Sequence, residues 1–236
     1  MAGTSTASPA APRSLTRAVF GRIRADILAA VYEPGARLSP RTLATEANVS
    51  LSVVREALTR LAEQGLVVAE PQLGFSVVTL EMDDVRDLSA LRVLIEGAAL
   101  RSAVEHADVE YEARVIASHH RLARTPFYAD GEALTSSEEW AVAHADFHAA
   151  LLSASPSPRL KELAAGLRET AELYRRWSGM VSREHNRRDV AAEHRALMQA
   201  ALDGDPDLAV ALCANHINTT TTLLAAFVQE HRPDLR

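Results

Sequence analysis

Residues 34–78, PGARLSPRTLATEANVSLSVVREALTRLAEQGLVVAEPQLGFSVV, constrain the fold more than any other stretch of the chain. Leu43, Ala44 and Ala47 give a short helix a small apolar face. Asn48 to Ser50 then supply a tight turn: asparagine tolerates unusual backbone angles, and Ser50 is placed to cap the next helix. That helix starts near Leu51. Its apolar positions Val54, Leu58 and Leu61, spaced four and three apart, face a core and leave Ser52, Arg55 and Arg60 on other faces. Gly65 stops it. Residues 66–69 and 75–79 are short apolar, β-branched runs around Glu-Pro-Gln-Leu-Gly, the pattern of a hairpin with Gly74 at its turn. Helix, turn, helix and hairpin in this order predict a winged helix-turn-helix, whose capped second helix, with its hydroxyls and arginine, suits a DNA major groove. The competing reading is a plain helical packing motif with a hairpin.

The order EPGARLSPRTLA, NVSLSVVREALTRLAEQGLV and a wing glycine resembles the DNA-binding domain of GntR-family transcription regulators over residues 14–79. The resemblance implies that Arg41 on the first of the two helices, Ser50 and Ser52 at the start of the recognition helix, and Arg55 within it touch operator DNA. It also implies that Gly74 lets the wing tip approach the minor groove. One departure stands out: the family usually carries arginine directly after the Val-Ser pair, and this chain has Leu51. The alternative for Arg41 and Arg55 is a surface ion pair with Glu46 or Glu56.

Charge divides unevenly along the 236 residues. Residues 1–80 hold eight arginines and no lysine against six carboxylates, a net +2, whereas residues 81–236 hold seventeen basic against twenty-five acidic side chains, a net −8. DNA contact is therefore expected only in the first part, and a dimer would double its few phosphate contacts. The single cysteine, Cys213, excludes an internal disulfide and favours a reducing cytoplasm, with a buried helix position as its role. No apolar run approaches the roughly 18 residues of a membrane span. Residues 1–12, MAGTSTASPAAP, read as a disordered tail.

From Glu81 onward the pattern is helix after helix. Residues 83–107 are amphipathic through Val85, Leu88, Leu91, Ile95 and Ala99, residues 109–123 follow, and a loop is expected at 125–131. Ser136 or Ser137 before Glu138 and Glu139, Ser157-Pro158 and Asp205-Pro206 each mark a helix start, and a further helix is expected within 183–203. About six helices predict an antiparallel all-α bundle. Trp140, Tyr174 and Trp177 read as core or interface residues.

Four histidines fall on three of these helices. His144 and His148, four apart, project from one helix face; His194 and His216 lie on the two helices that follow. Brought together, four imidazoles can hold a transition metal, Zn or Ni foremost, though a helix histidine is also an ordinary hydrogen-bonded residue. The segments LRVLIEGAAL, ADFHAALLSAS, EHRALMQAALDGD and NHI resemble the FCD effector-binding domain of the FadR-type branch of GntR regulators, over residues 82–230. The resemblance implies that His148, His194 and His216 are metal ligands. His144 stands where the family carries aspartate, so it either supplies a fourth nitrogen or turns away; Asp146 points to another side. Glu193, beside His194, is directed elsewhere by its adjacency. By the same resemblance Arg92 pairs with an effector carboxylate, against the alternative of an intrahelical bridge to Glu96, and Thr220 joins the polar lining.

The expected architecture is mainly all-α. Residues 1–12 form a tail, 13–80 a winged helix-turn-helix with a small β wing, and 81–236 an FCD-like effector-binding and dimerisation domain. The expected function is a cytoplasmic, homodimeric DNA-binding regulator, a repressor of a palindromic operator on double-stranded DNA, controlled by a small carboxylate-type metabolite in a metal-containing domain. Without an HExxH helix or nucleophile motif, no enzyme is expected. The alternatives are a metal-responsive regulator in which the ion is the signal, and a metalloenzyme fused to a DNA-binding module.

Overall fold

The computed structural model describes residues 12–29, 31–79, 81–128, 136–185 and 188–231, so most of the expected tail and part of the expected loop at 125–131 lie outside the described residues. The chain divides into two compact units, Met1–Thr79 and Leu80–Arg236.

The first unit contains α1 (Pro12–Leu28), β1 (Arg37–Leu38), α2 (Pro40–Ala47), α3 (Leu51–Glu63), β2 (Val67–Glu70) and β3 (Gly74–Val77). Along α1, Val19, Ile23 and Ile27 recur every four residues, and all three are buried. Proline at the first position of α2 follows Ser39, whose Oγ accepts the Thr42 N–H at 3.3 Å. The helix ends at Asn48 in the left-handed region, φ 51°. Val54, Leu58 and Leu61 of α3 are wholly buried, together with Ala57, and each of the three large side chains contributes roughly 1.5–3 kcal/mol by leaving water. Past α3, Gly65 takes φ +70°, while the Leu66 N–H reaches back to the Leu61 carbonyl.

The wing is a three-stranded antiparallel sheet in the order β1-β3-β2, with Glu70 opposite Gly74 and Leu38 opposite Phe75. Gly74 is not at the hairpin turn, as its spacing suggested. Pro71, Gln72 and Leu73 make the turn, with Gln72 at φ 66°, and Gly74 opens β3 at φ +97°. Two left-handed positions, separated by Leu73, occur here, and only the second is met by glycine.

The second unit holds six helices among the described residues: α4 (Met82–Glu105), α5 (Val109–Arg124), α6 (Glu138–Leu151), α7 (Pro158–His185), α8 (Val190–Leu202) and α9 (Pro206–His231). Their starts follow the local chemistry. Asp108, Ser137, Ser157, Asp189 and Asp205 each accept a backbone N–H three residues on. The expected helix within 183–203 is in fact the end of α7 followed by α8. Helix α4 packs on α7 and α9, α5 on α6 and α8, and α8 on α9. Leu100, Tyr111, Phe147, Leu151, Leu197 and Ile217 fill the core, where the Tyr111 hydroxyl donates to the Leu151 carbonyl at 3.1 Å. Trp140, Tyr174 and Trp177 are buried as expected. Leu91 is not: it is 43% exposed, because the inward face of α4 passes through Leu88, Glu96, Ala99 and Leu100. A buried glutamate occupies a position that apolar periodicity passes over.

Candidate functional site

The first candidate surface is the start of α3. Leu51, Ser52 and Arg55 are exposed there, and Arg55 follows Ser52 by three residues and Leu51 by four, so the three share one helix face. Ser50 is the N-cap by position, but its hydroxyl does not accept a helix N–H, contrary to expectation; it lies 2.9 Å from the Ser52 hydroxyl instead. The first turn of α3 thus keeps its N–H groups without a side-chain cap, and those groups attract phosphate oxygens. Arg41 on α2 and Gly74 at the wing are also exposed. Among the described residues neither Arg41 nor Arg55 has an ion pair, so the bridges to Glu46 and Glu56 do not form. Arg60, by contrast, lies over the Phe20 ring at 4.9 Å and belongs to the packing of α3 on α1.

The second candidate site lies inside the helical unit. His144 and His148 on α6, His194 on α8 and His216 on α9 are all buried, and one potential ligand nitrogen from each falls within 4.8 Å of the others. His144 does not turn away. Its ring centre is 4.5 Å from that of His148 and 5.0 Å from that of His194, and the Trp140 ring stacks on it at 4.7 Å. Asp146 points outward, 3.4 Å from Arg121.

Burial holds all four imidazoles below their ordinary range. For His144 the neighbouring His148 and Arg175 add to that effect, and for His148 its neighbours His216 and His194 do so. His194 is pushed down to about 2 by burial and by His216. For His216 burial outweighs the opposing pull of Glu193. Four neutral imidazoles offer lone pairs rather than charges, which is what a divalent metal requires. The Nε2 atoms of His148 and His194 are buried without a hydrogen-bond partner, an arrangement that costs about 1–3 kcal/mol per group unless something coordinates them. The residues therefore fit a metal ion.

Glu193 plays a part that its adjacency to His194 concealed. Its Oε2 lies 2.6 Å from His216 Nδ1, on the neighbouring helix. A carboxylate only accepts, so Nδ1 carries the proton and Nε2 keeps its lone pair; the 3.2 Å approach of Arg188 to the same Nδ1 is the longer and weaker contact. Arg188 grips both oxygens of Glu193 at 2.8 and 2.7 Å and also donates to the His216 carbonyl and to Thr220 Oγ1. Burial would raise the Glu193 carboxyl, but hydrogen bonds from His216 and Arg188 outweigh it and hold the group at about 2. Thr220 is thus engaged by Arg188. Arg92 donates to Glu96 at 2.7 Å, and Arg168 approaches the other oxygen of that buried carboxylate at 3.4 Å. No sequence spacing links Glu193 to His216 or Arg168 to Glu96, so neither relationship was visible beforehand.

Known proteins place both units. Residues 15–77 match the model of bacterial regulatory proteins of the gntR family, and residues 87–219 match that of the FCD domain. BphR, an HTH-type transcriptional regulator of Paraburkholderia xenovorans (strain LB400), is 38% identical over 91% of this chain and 87% of its own length. The HTH-type transcriptional repressor GlaR of Escherichia coli (strain K12) is 26% identical over 86% and 92%. A GntR transcriptional regulator of Rhodococcus sp. RHA1 superposes with a TM-score of 0.68 at 25% identity, covering 90% of this chain and 98% of that one. These are transcriptional regulators and not enzymes. With the wing, the exposed recognition helix and the six-helix unit all in place, the chain belongs to the GntR family of bacterial transcriptional regulators, as a member that carries an FCD domain.

Proposed function

We propose that this regulator acts as a homodimeric repressor in the cytoplasm, binding a palindromic operator through Arg41, Ser50, Ser52, Arg55 and the wing at Gly74. The helical unit would hold one divalent transition metal, Zn or Ni, on His144, His148, His194 and His216. The observation that carries the metal reading is the pair of buried, partnerless Nε2 atoms inside a group of four neutral imidazoles. When bound, such an ion supplies a fixed positive centre that attracts a carboxylate. Because His144 replaces an anionic ligand with a neutral one, the protein leaves more of that charge uncompensated. Glu193 and Glu96 do not offset it, since each is already paired with arginine. An anionic small metabolite is the effector that this balance favours. It would control operator binding by preferring one of the DNA-competent and released states.

The test combines elemental analysis with operator titration. Purified protein should carry about one metal per chain, and a variant with both His148→Ala and His194→Ala should carry none. Full occupancy in that variant would remove the proposed centre. Operator affinity that follows metal concentration with no organic acid present would make the ion itself the signal.

A further inference from the structure

A cleft of about 340 Å³ opens between the end of α5, the start of α6 and the start of α8, close to the lower end of the range of small-molecule sites. Its walls have a definite chemistry. Phe127 meets Tyr128 edge-on at 4.7 Å and Trp140 edge-on at 4.5 Å, so three aromatic rings line one corner. Arg188, Arg195 and His194 line it as well, and no carboxylate does. Arg188 is spent on Glu193, Thr220 and the His216 carbonyl. Arg195 is exposed on α8 and, among the described residues, has no ion pair. One uncompensated guanidinium beside three rings matches a single planar anion on an aromatic body, because guanidinium takes a carboxylate bidentately and rings pack edge-to-face.

The cleft also touches the histidine cluster. His194 belongs to both, and Trp140 presents one part of its ring system to the cleft while stacking on His144. An occupant would therefore press on two of the three helices that supply imidazoles.

We propose that this cleft is the effector site and that it takes an aromatic monocarboxylate of about one ring, held by Phe127, Tyr128 and Trp140 with its carboxylate on Arg195. The inference rests on the reading that an anionic metabolite controls the helical unit. It places the ligand's carboxylate on Arg195 rather than on the metal itself, which then acts on the anion from a distance, and away from Arg92, which Glu96 already engages.

Calorimetric titration of the metal-loaded full chain with benzoate, cinnamate, hexanoate and succinate tests it. The two aromatic acids should bind saturably and more tightly than the aliphatic ones. Arg195→Ala should weaken them about tenfold or more, Arg195→Lys should restore part of the loss, and Ala191→Trp, which fills the cleft from α8, should abolish binding in protein with unchanged metal content. Succinate binding best, with no effect of Arg195→Ala, would overturn the cleft while preserving an anionic effector at the metal. Absence of saturable binding by either aromatic acid would also overturn it. Protein that neither carries metal nor binds operator would instead remove the underlying function.

Discussion

Trp140 and His144 lie one helical turn apart on α6 with their rings nearly parallel, 4.7 Å between centres and 21° between planes. A change in the electronic state of the imidazole therefore acts directly on the indole. The chain has only one other tryptophan, Trp177. Adding Zn to metal-free protein should change the tryptophan emission until one equivalent per chain is bound, and Trp140→Phe should remove that response. His144→Ala should remove it too while the other three histidines still bind metal. Stoichiometric loading with unaltered emission would show that His144 is not a ligand.

The buried imidazoles also set a pH dependence. In metal-free protein their folded pKa values lie below the ordinary 6.5, mainly because burial disfavours the charged form, with His194 at about 2. Below pH 6.5 the unfolded chain binds protons that the folded one refuses, so stability rises with pH. It is complete above 6.5 and lost as pH falls from there toward the depressed folded values. Each imidazole that stays neutral removes roughly 1.4 kcal/mol per pH unit within that window. The melting temperature of metal-free protein should fall steeply between pH 7 and 5, and bound metal should raise it at each pH without flattening the fall, because coordinated imidazoles also refuse protons. A flat profile would mean that the cluster takes up protons without unfolding.

Glu193 orients His216 through Nδ1, so it should tune metal affinity without touching the ion. Glu193→Gln keeps the size of the side chain, replaces a charged acceptor with a neutral one and leaves Arg188 unneutralised beside the site. Metal affinity, measured by competition with a chromophoric chelator, should drop about 10- to 100-fold. An unchanged affinity would mean that the 2.6 Å contact merely fastens α8 to α9.

Features with a local cause are legible in the sequence. Ser137, Ser157 and Asp205 were legible as helix starts because a cap and its N–H lie three residues apart. The four histidines are grouped by the helices that carry them, and the resemblance matches three, His148, His194 and His216; spacing by itself ties together only His144 and His148. What escaped is non-local or too short. Strand β1 has two residues and exists only through pairing with Ser76 and Phe75. Spacing offers the Arg92–Glu96 bridge as one of the two alternatives for Arg92, but not the approach of Arg168 from α7 to the same carboxylate. The partnership of Glu193 with His216 spans 23 residues and two helices.

The recognition helix yields the last prediction. Arg55 stands one turn from the exposed N-terminus of α3 with no ion pair among the described residues, so its guanidinium is available to DNA. Arg55→Ala should weaken operator binding by about 1–3 kcal/mol if the contact is to a base edge, and should relax selectivity at that base pair. Leu51 tests the same surface from the other direction. It is 38% exposed at the first helical position, where an apolar side chain gains little from water but can meet a thymine methyl. Leu51→Arg should raise affinity for non-operator DNA and steepen its salt dependence by about one released counterion per recognition helix, while loosening discrimination at the base pair that Leu51 faces. Titrations of operator and scrambled duplex at several salt concentrations measure both effects. Identical salt slopes for Leu51→Arg and the natural protein would place the start of α3 outside the DNA interface.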